Sequence, residues 1–168
     1  MIATPSGYFI DRLRVEIDAD LFEQGVRTGI AAYVSGEEAI AARSLREATD
    51  LYRGDFLADE PYAEWSLSER DRLRELAGRA CRALVEHEIR VGDLDTAAEY
   101  GERLIDLDPF DFEVQRAVLM IALRRGRRSE ALRRYGTMRR RMLSEFGEDL
   151  PFDLSELNKT ARDTISLL

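Results

Sequence analysis

The sequence predicts an all-α protein of about seven helices folded as antiparallel hairpins, with a short β hairpin at its N-terminus. Three observations predict it. From Asp18 onward, apolar residues recur at helical spacing and almost never at strand spacing. Glycine or an Asp-Pro pair interrupts that spacing at short intervals. Charged residues make up 35% of the chain beside an ordinary 45% of apolar ones, as helices with one buried and one solvated face require.

The N-terminal segment differs from the rest. Tyr8, Phe9 and Ile10 precede a charged Asp11-Arg12 turn, and Val15-Glu16-Ile17 alternates with period two. This predicts a short hairpin or a stray strand over residues 7–17, and two strands alone are marginal in water and must lean on a larger body. Helix follows. Asp20 with Glu23 reads as a capping box, and Phe22, Val26, Ile30 and Tyr33 keep one face. Ser35 with Glu38 repeats the box ahead of Ala41, Leu45, Ala48 and Tyr52, and Gly54 ends that helix. Pro61 lies in the loop that follows.

A long third helix is expected from about Ser66 to Val91, opened by Ser66 and Glu69. Its stripe is Leu73, Leu76, Ala77, Ala80, Leu84, His87 and Val91. Gly92-Asp93 restarts the chain into a helix carrying Ala97, Leu104 and Leu107. Asp108 then caps and Pro109 opens the next, with Val114, Val118, Ile121 and Leu123. Gly126 separates it from a helix with Leu132, Tyr135, Met138, Met142 and Phe146. A loop from Gly147 to Pro151 leads to a last helix, capped by Asp153 and Glu156, with Leu157, Ala161, Ile165 and Leu168 inward.

A repeat runs through this part. Gly92 and Gly126 are 34 positions apart, as are Ala97 and Ala131, Leu104 and Met138, and Leu84 and Val118. Thirty-four is the tetratricopeptide period. Glycine permits the turn, alanine lets helices cross closely, and a larger apolar residue fills the groove. Gly101 departs from the pattern where an aromatic is expected, while Tyr135 fits one period later.

Composition removes several function classes. At 168 residues the chain buries a sizeable core unaided, and its one cysteine, Cys81, has no internal partner and reads as a buried small hydrophobe in a reducing cytosol. No apolar run reaches membrane-spanning length, so a cytoplasmic protein is expected. His87 is the lone histidine and no metal cluster, catalytic constellation or phosphate loop is visible, so no enzyme, metal or cofactor is expected. The net charge of −8 argues against a simple nucleic-acid binder.

Two features propose an interaction. Residues 124–141 hold nine arginines against one acid, Glu130, a local net of +8 in a chain whose remainder is −16. Arg127, Arg128, Arg133, Arg134, Arg140 and Arg141 are the candidate contacts to an acidic protein surface or to phosphate. The alternative is a solvated face neutralised by acidic neighbours and enriched by a codon bias that sets arginine over lysine 24 to 1. The second feature is the loop carrying Tyr62 and the only tryptophan, Trp65. It either anchors the loop against the helices or presents a partner-contact hot spot.

These residues also resemble a known family. The carriers are Val15-Glu16-Ile17-Asp18-Ala19-Asp20-Leu21-Phe22, then Leu51-Tyr52-Arg53-Gly54-Asp55-Phe56-Leu57, Glu64-Trp65 and Glu69-Arg70-Asp71-Arg72-Leu73-Arg74-Glu75-Leu76. After them come Gly92-Asp93, Asp108-Pro109, Gly126-Arg127 and Ala131-Leu132-Arg133-Arg134-Tyr135. Together they are similar to the bacterial transcriptional activator domain of the Streptomyces antibiotic regulatory protein (SARP) family, over roughly residues 7–168.

The resemblance implies a tetratricopeptide-like helical domain over 18–168 that acts without catalysis. Its contacts would be with RNA polymerase, with another regulator subunit or with a second copy. It also implies that residues 1–17 are a remnant hairpin and linker of a winged-helix domain. That domain would read DNA in the parent protein, and its recognition helix is absent from this chain. A general peptide-binding repeat scaffold is the alternative, and an accessory phosphate binder working through the arginines is another.

Overall fold

Residues 2–4, 7–9, 17–60 and 62–165 are described by the computed structural model, with side chains over 17–60 and 62–161. They contain seven α-helices: α1 Asp18–Val34, α2 Glu38–Leu51, α3 Leu67–Val91, α4 Leu94–Leu107, α5 Phe112–Arg124, α6 Arg128–Phe146 and α7 Leu154–Ile165. A 3-10 turn, Glu64–Ser66, runs into α3. The chain divides into two units, Met1–Leu84 and Val85–Leu168, with the division inside α3.

Of the hairpin expected over 7–17, only residues 7–9 and 17 are described. The strand β2, Gly7–Phe9, pairs antiparallel with β1, Ile2–Thr4, in the register Ile2 to Phe9. Residues 10–16 lie outside the described residues. Ile17 is extended (φ −106°, ψ 123°) because it is the residue before α1.

In the first unit α1 packs along α2. Phe22, Val26, Gly29 and Ala32 face Ala41, Leu45 and Ala48, all buried. The approach is close because α1 presents glycine: a Cβ at Gly29 would stand 2.6 Å from Leu45 Cγ, and one at Gly25 2.9 Å from Ala48 Cβ. The capping boxes expected here do not open the helices. α1 begins at Asp18, before Asp20, and neither Ile17 nor Glu37 gives its helix a side-chain cap. Ser66 Oγ donates back to the Ala63 carbonyl (2.8 Å), inside the 3-10 turn.

The stripe expected on α3 is partly right. Leu73, Ala77, Ala80 and Leu84 are buried and so is Cys81, but Val91 is 58% exposed and His87 only half-buried. The buried position at that end of the helix is Glu88, 1% exposed.

The second unit carries the repeat. Gly92 and Gly126 both take left-handed φ values, +86° and +72°. Their carbonyls accept from Leu94 N (3.0 Å) and Arg128 N (2.9 Å), so the same turn opens α4 and α6. Ala97 and Ala131 are both fully buried one turn later. α4 packs on α5, and α5 packs on both α6 and α7. Gly101 explains its own departure from the repeat: a Cβ there would lie 2.7 Å from Val118 Cγ2, leaving no room for an aromatic.

Asp93 caps α4 through Thr96 N (3.0 Å). The cap of α5 is Asp111, accepting from Glu113 and Val114 N (3.0 and 3.1 Å), whereas the expected Asp108 accepts from Phe110 N (3.0 Å) and holds the preceding turn. Leu119, Ala122, Ala131 and Leu157 form the core under α7, with Tyr135, Met138 and Phe152 packed against it. Tyr135 also donates its hydroxyl to the Phe152 carbonyl (3.1 Å).

Candidate interaction surfaces

The loop after α2 is tied down by arginines of α3. Arg70 Nε donates to the Phe56 carbonyl (3.0 Å), and its Nη2 reaches the carbonyls of Leu57 (3.1 Å) and Glu60 (3.3 Å) and Ser66 Oγ (3.4 Å). One planar guanidinium thus serves three carbonyls of a loop that has no ladder of its own. The hold has conformational consequences, since Leu57 sits at φ +52°, a region non-glycine residues rarely adopt.

One turn further, Arg74 grips Asp55 with two parallel bonds, Nε to Oδ1 (3.0 Å) and Nη2 to Oδ2 (2.5 Å). Asp55 Oδ1 also accepts from the Tyr52 hydroxyl (3.2 Å), and the Tyr52 ring packs on Phe22 at 5.3 Å between centroids. Burial, and then the Asp55 charge, push the Tyr52 hydroxyl up to about 12. Arg72, between these two, bridges Glu69 (2.7 Å) and Glu23 of α1 (2.7 Å) and holds both carboxyls below their usual range through those hydrogen bonds. An open cavity of about 610 Å³ lies beside the loop, lined in part by Phe22, Tyr52, Phe56 and Leu73.

Trp65 does not anchor this loop. It is 74% exposed and Tyr62 is 94% exposed, with Leu67 also outward. The anchoring belongs to Arg70 and Arg74, which sequence reasoning did not single out. Their signal was present in the spacing: positions 66, 70 and 74 fall on one helical face behind the loop.

The arginine cluster separates into committed and uncommitted members. Arg125 pairs with Asp95, Arg134 with Glu102, Arg127 with Glu130 (3.5 Å), Arg139 with Asp149 (2.6 Å) and Arg141 with Glu145 (2.9 Å). Arg141 also lies over the Phe110 ring, 4.5 Å from its centroid. Arg128 and Arg133 make no ion pair among the described residues, and Arg140 donates only to Thr137 Oγ1 (3.1 Å). Of the six candidate contacts, Arg127, Arg134 and Arg141 are therefore neutralised by acids of the same unit, while Arg128, Arg133 and Arg140 keep their charge.

Beside them is a groove of about 540 Å³ between α4, the start of α5 and α6. Arg133, Arg134, Thr137 and Arg141 line one wall, and Ile105, Pro109 and Met138 its apolar part. At the far end of α6, Phe110 and Phe146 meet edge to face (5.6 Å), both partly exposed, around a smaller cavity of about 260 Å³. Among the described residues no group of histidines, cysteines and acids is placed to hold a metal ion, and no helix is long and apolar enough to cross a membrane.

Paired helices with a 34-residue recurrence define the class: a tetratricopeptide-like helical repeat. Its backbone resembles the C-terminal TPR-containing domain of an FK506-binding protein from Plasmodium falciparum. The TM-score is 0.59 over 89% of this chain and 91% of that one, at 13% identity. The family follows from sequence: residues 17–162 match the bacterial transcriptional activator domain, and the chain belongs to that family. It is 32% identical over 142 residues to the regulatory protein DnrI of Streptomyces peucetius, covering 84% of this chain and 52% of that protein. The family expected from the motif around Gly54 and Trp65 is thus the one found, a transcriptional-activator domain of SARP-like regulators.

Proposed function

We propose that residues 18–168 form the activation and interaction module of a SARP-like transcriptional regulator, acting in the cytoplasm by protein contact and without chemistry of its own. Family membership supports the regulatory setting. The observation that carries the contact reading is the exposed face of α6 on which Arg133 and Arg140 hold charge that no acid of the described residues cancels. An uncompensated cationic face steers a partner of opposite charge and fixes its register. RNA polymerase is the partner we assign to it. Sequence-specific DNA reading falls to a winged-helix domain of the kind the family carries, and residues 1–17 are assigned to its last hairpin and the linker.

The test is capture of purified RNA polymerase holoenzyme by the wild-type chain and by Arg133→Glu/Arg134→Glu. Retention that is lost in the double variant is expected. Equal retention by both would remove α6 from the contact, and no retention by either would leave a general peptide-binding scaffold as the better description.

A second contact is favoured by one specific observation. Trp65 and Tyr62 are presented outward from a loop that Arg70 holds in place, so binding there costs little ordering entropy. Self-association through this aromatic pair is the form that contact would take in a homodimer.

A further inference from the structure

The groove between α4, the start of α5 and α6 joins two kinds of surface that seldom meet on a solvated face. Its apolar part, Ile105, Pro109 and Met138, is the contact a buried aliphatic side chain needs. Its rim is a cluster of guanidiniums centred on Thr137. Arg133, Arg134 and Arg141 line the groove together with Thr137, and Arg140, outside the lining, reaches its edge by donating to the Thr137 hydroxyl (3.1 Å). The volume, about 540 Å³, falls in the ~300–1,000 Å³ range of built ligand sites.

The charges of that rim are unequal, and this decides what fits. Arg134 is held by Glu102, Arg141 by Glu145, and the lining acid Glu130 by Arg127. Arg133 has no partner among the described residues, and Arg140 has only the Thr137 hydroxyl. Two uncommitted guanidiniums therefore stand seven positions apart along α6, about 10 Å at the helical rise.

We propose that this groove takes an acidic linear peptide segment of the partner, its carboxylates on Arg133 and Arg140 and its intervening aliphatic side chain against Ile105, Pro109 and Met138. The inference rests on the contact reading of α6 given above and names the chemistry of what docks there. Duplex DNA fits less well. Its phosphates form a continuous charged run, whereas Glu102, Glu130 and Glu145 stand among these arginines and would face that run with like charge. A peptide places its acids only where the cations are free and its apolar residues where the floor is apolar.

The experiment is a fluorescence-anisotropy titration of the 168-residue chain. The probes are a fluorescein-labelled peptide of repeating Glu-Leu-Asp, the same peptide with lysine for each acid, and a short labelled duplex DNA. Saturable binding of the acidic peptide alone is expected, weakening by about tenfold or more in Arg133→Glu through loss of a charge-assisted hydrogen bond. Arg133→Gln should lie between the two.

Arg139→Glu is the control, because Arg139 is held by Asp149 and, unlike Arg140, bonds to no residue of the groove. It should leave the affinity within roughly twofold, as for an exposed pair. Arg133 is exposed and makes no ion pair among the described residues, so its variants should keep the wild-type helical circular dichroism. No saturation by the acidic peptide, equal affinity in Arg133→Glu, or preference for the duplex would each overturn the proposal. Polymerase capture without peptide binding removes the groove alone, and peptide binding without polymerase capture removes the choice of polymerase.

Discussion

Arg70 shows how much of a motif's meaning is carried by one side chain. The sequence around Gly54 looks like a signature of apolar residues, yet the loop's backbone is satisfied by a guanidinium fourteen positions away. Truncating Arg70 to alanine strands three carbonyls and releases a leucine held at positive φ. We expect Arg70→Ala to destabilise the chain by about 1–3 kcal/mol, the cost of unsatisfied or re-solvated polar groups at a partly buried site. The readout is the urea midpoint, with new protease cleavage between Arg53 and Tyr62. Arg70→Lys should recover less than half of the loss, since an ammonium cannot serve carbonyls in a planar fork. Full recovery with lysine would mean that charge, not geometry, holds the loop. Sequence reading found the motif but weighed Trp65 as its anchor. A side chain that bonds to backbone carbonyls leaves no periodic trace, whereas a tryptophan is conspicuous in a chain that has one.

The helices were legible in the sequence because burial sets their period, and burial dominates the energetics. About seven were expected and the described residues hold seven, with breaks at Gly92, Gly126 and Gly147, all at positive φ. Their first residues were less legible. Of the caps expected, Asp153 bonds inside the helix it was assigned to, to Ser155 N (2.6 Å), whereas Asp108 holds the turn before its helix and Ser66 bonds back to Ala63. The energies differ by enough to explain this: a cap contributes about 1 kcal/mol, and packing shifts it by a turn without penalty elsewhere.

Helix crossings were least legible, since glycine in a helix reads as a weakness. Gly101 is there because Val118 is in contact range. Gly101→Ala should therefore lose about 1–3 kcal/mol by overpacking, despite alanine's better helix propensity. Removing the clash in Gly101→Ala/Val118→Ala should return part of that loss, and thermal unfolding of Gly101→Ala, Val118→Ala and the double variant reads it. An additive double variant would show that α4 and α5 do not meet through this pair.

At the scale of the whole chain, two charge distributions compete. The sequence carries −8 overall, and within it residues 124–141 carry +8. Read as a tally, the local excess is enough for a phosphate contact. The fold removes half of it: Asp95, Glu102, Glu145 and Asp149 each take an arginine of this segment, and Glu130, already in the tally, pairs with Arg127. Pairing within the fold could not be read from a linear charge count, because Glu102 lies 32 positions from its arginine.

What remains is a few separated cations on a net acidic body, and phosphate binding scales with the number of contacts made at once. A protein engaging only two or three phosphates has a shallow salt slope and little affinity at physiological ionic strength. We therefore expect this 168-residue chain to leave duplex DNA unretained in a gel shift at physiological salt. At low salt any residual retardation should disappear in Arg133→Glu/Arg134→Glu. Tight duplex binding that falls steeply with salt would require more free cations than α6 offers. It would mean that the ion pairs with Glu102, Glu130 and Asp149 open on contact, and the surface would then belong to nucleic acid instead of to a protein.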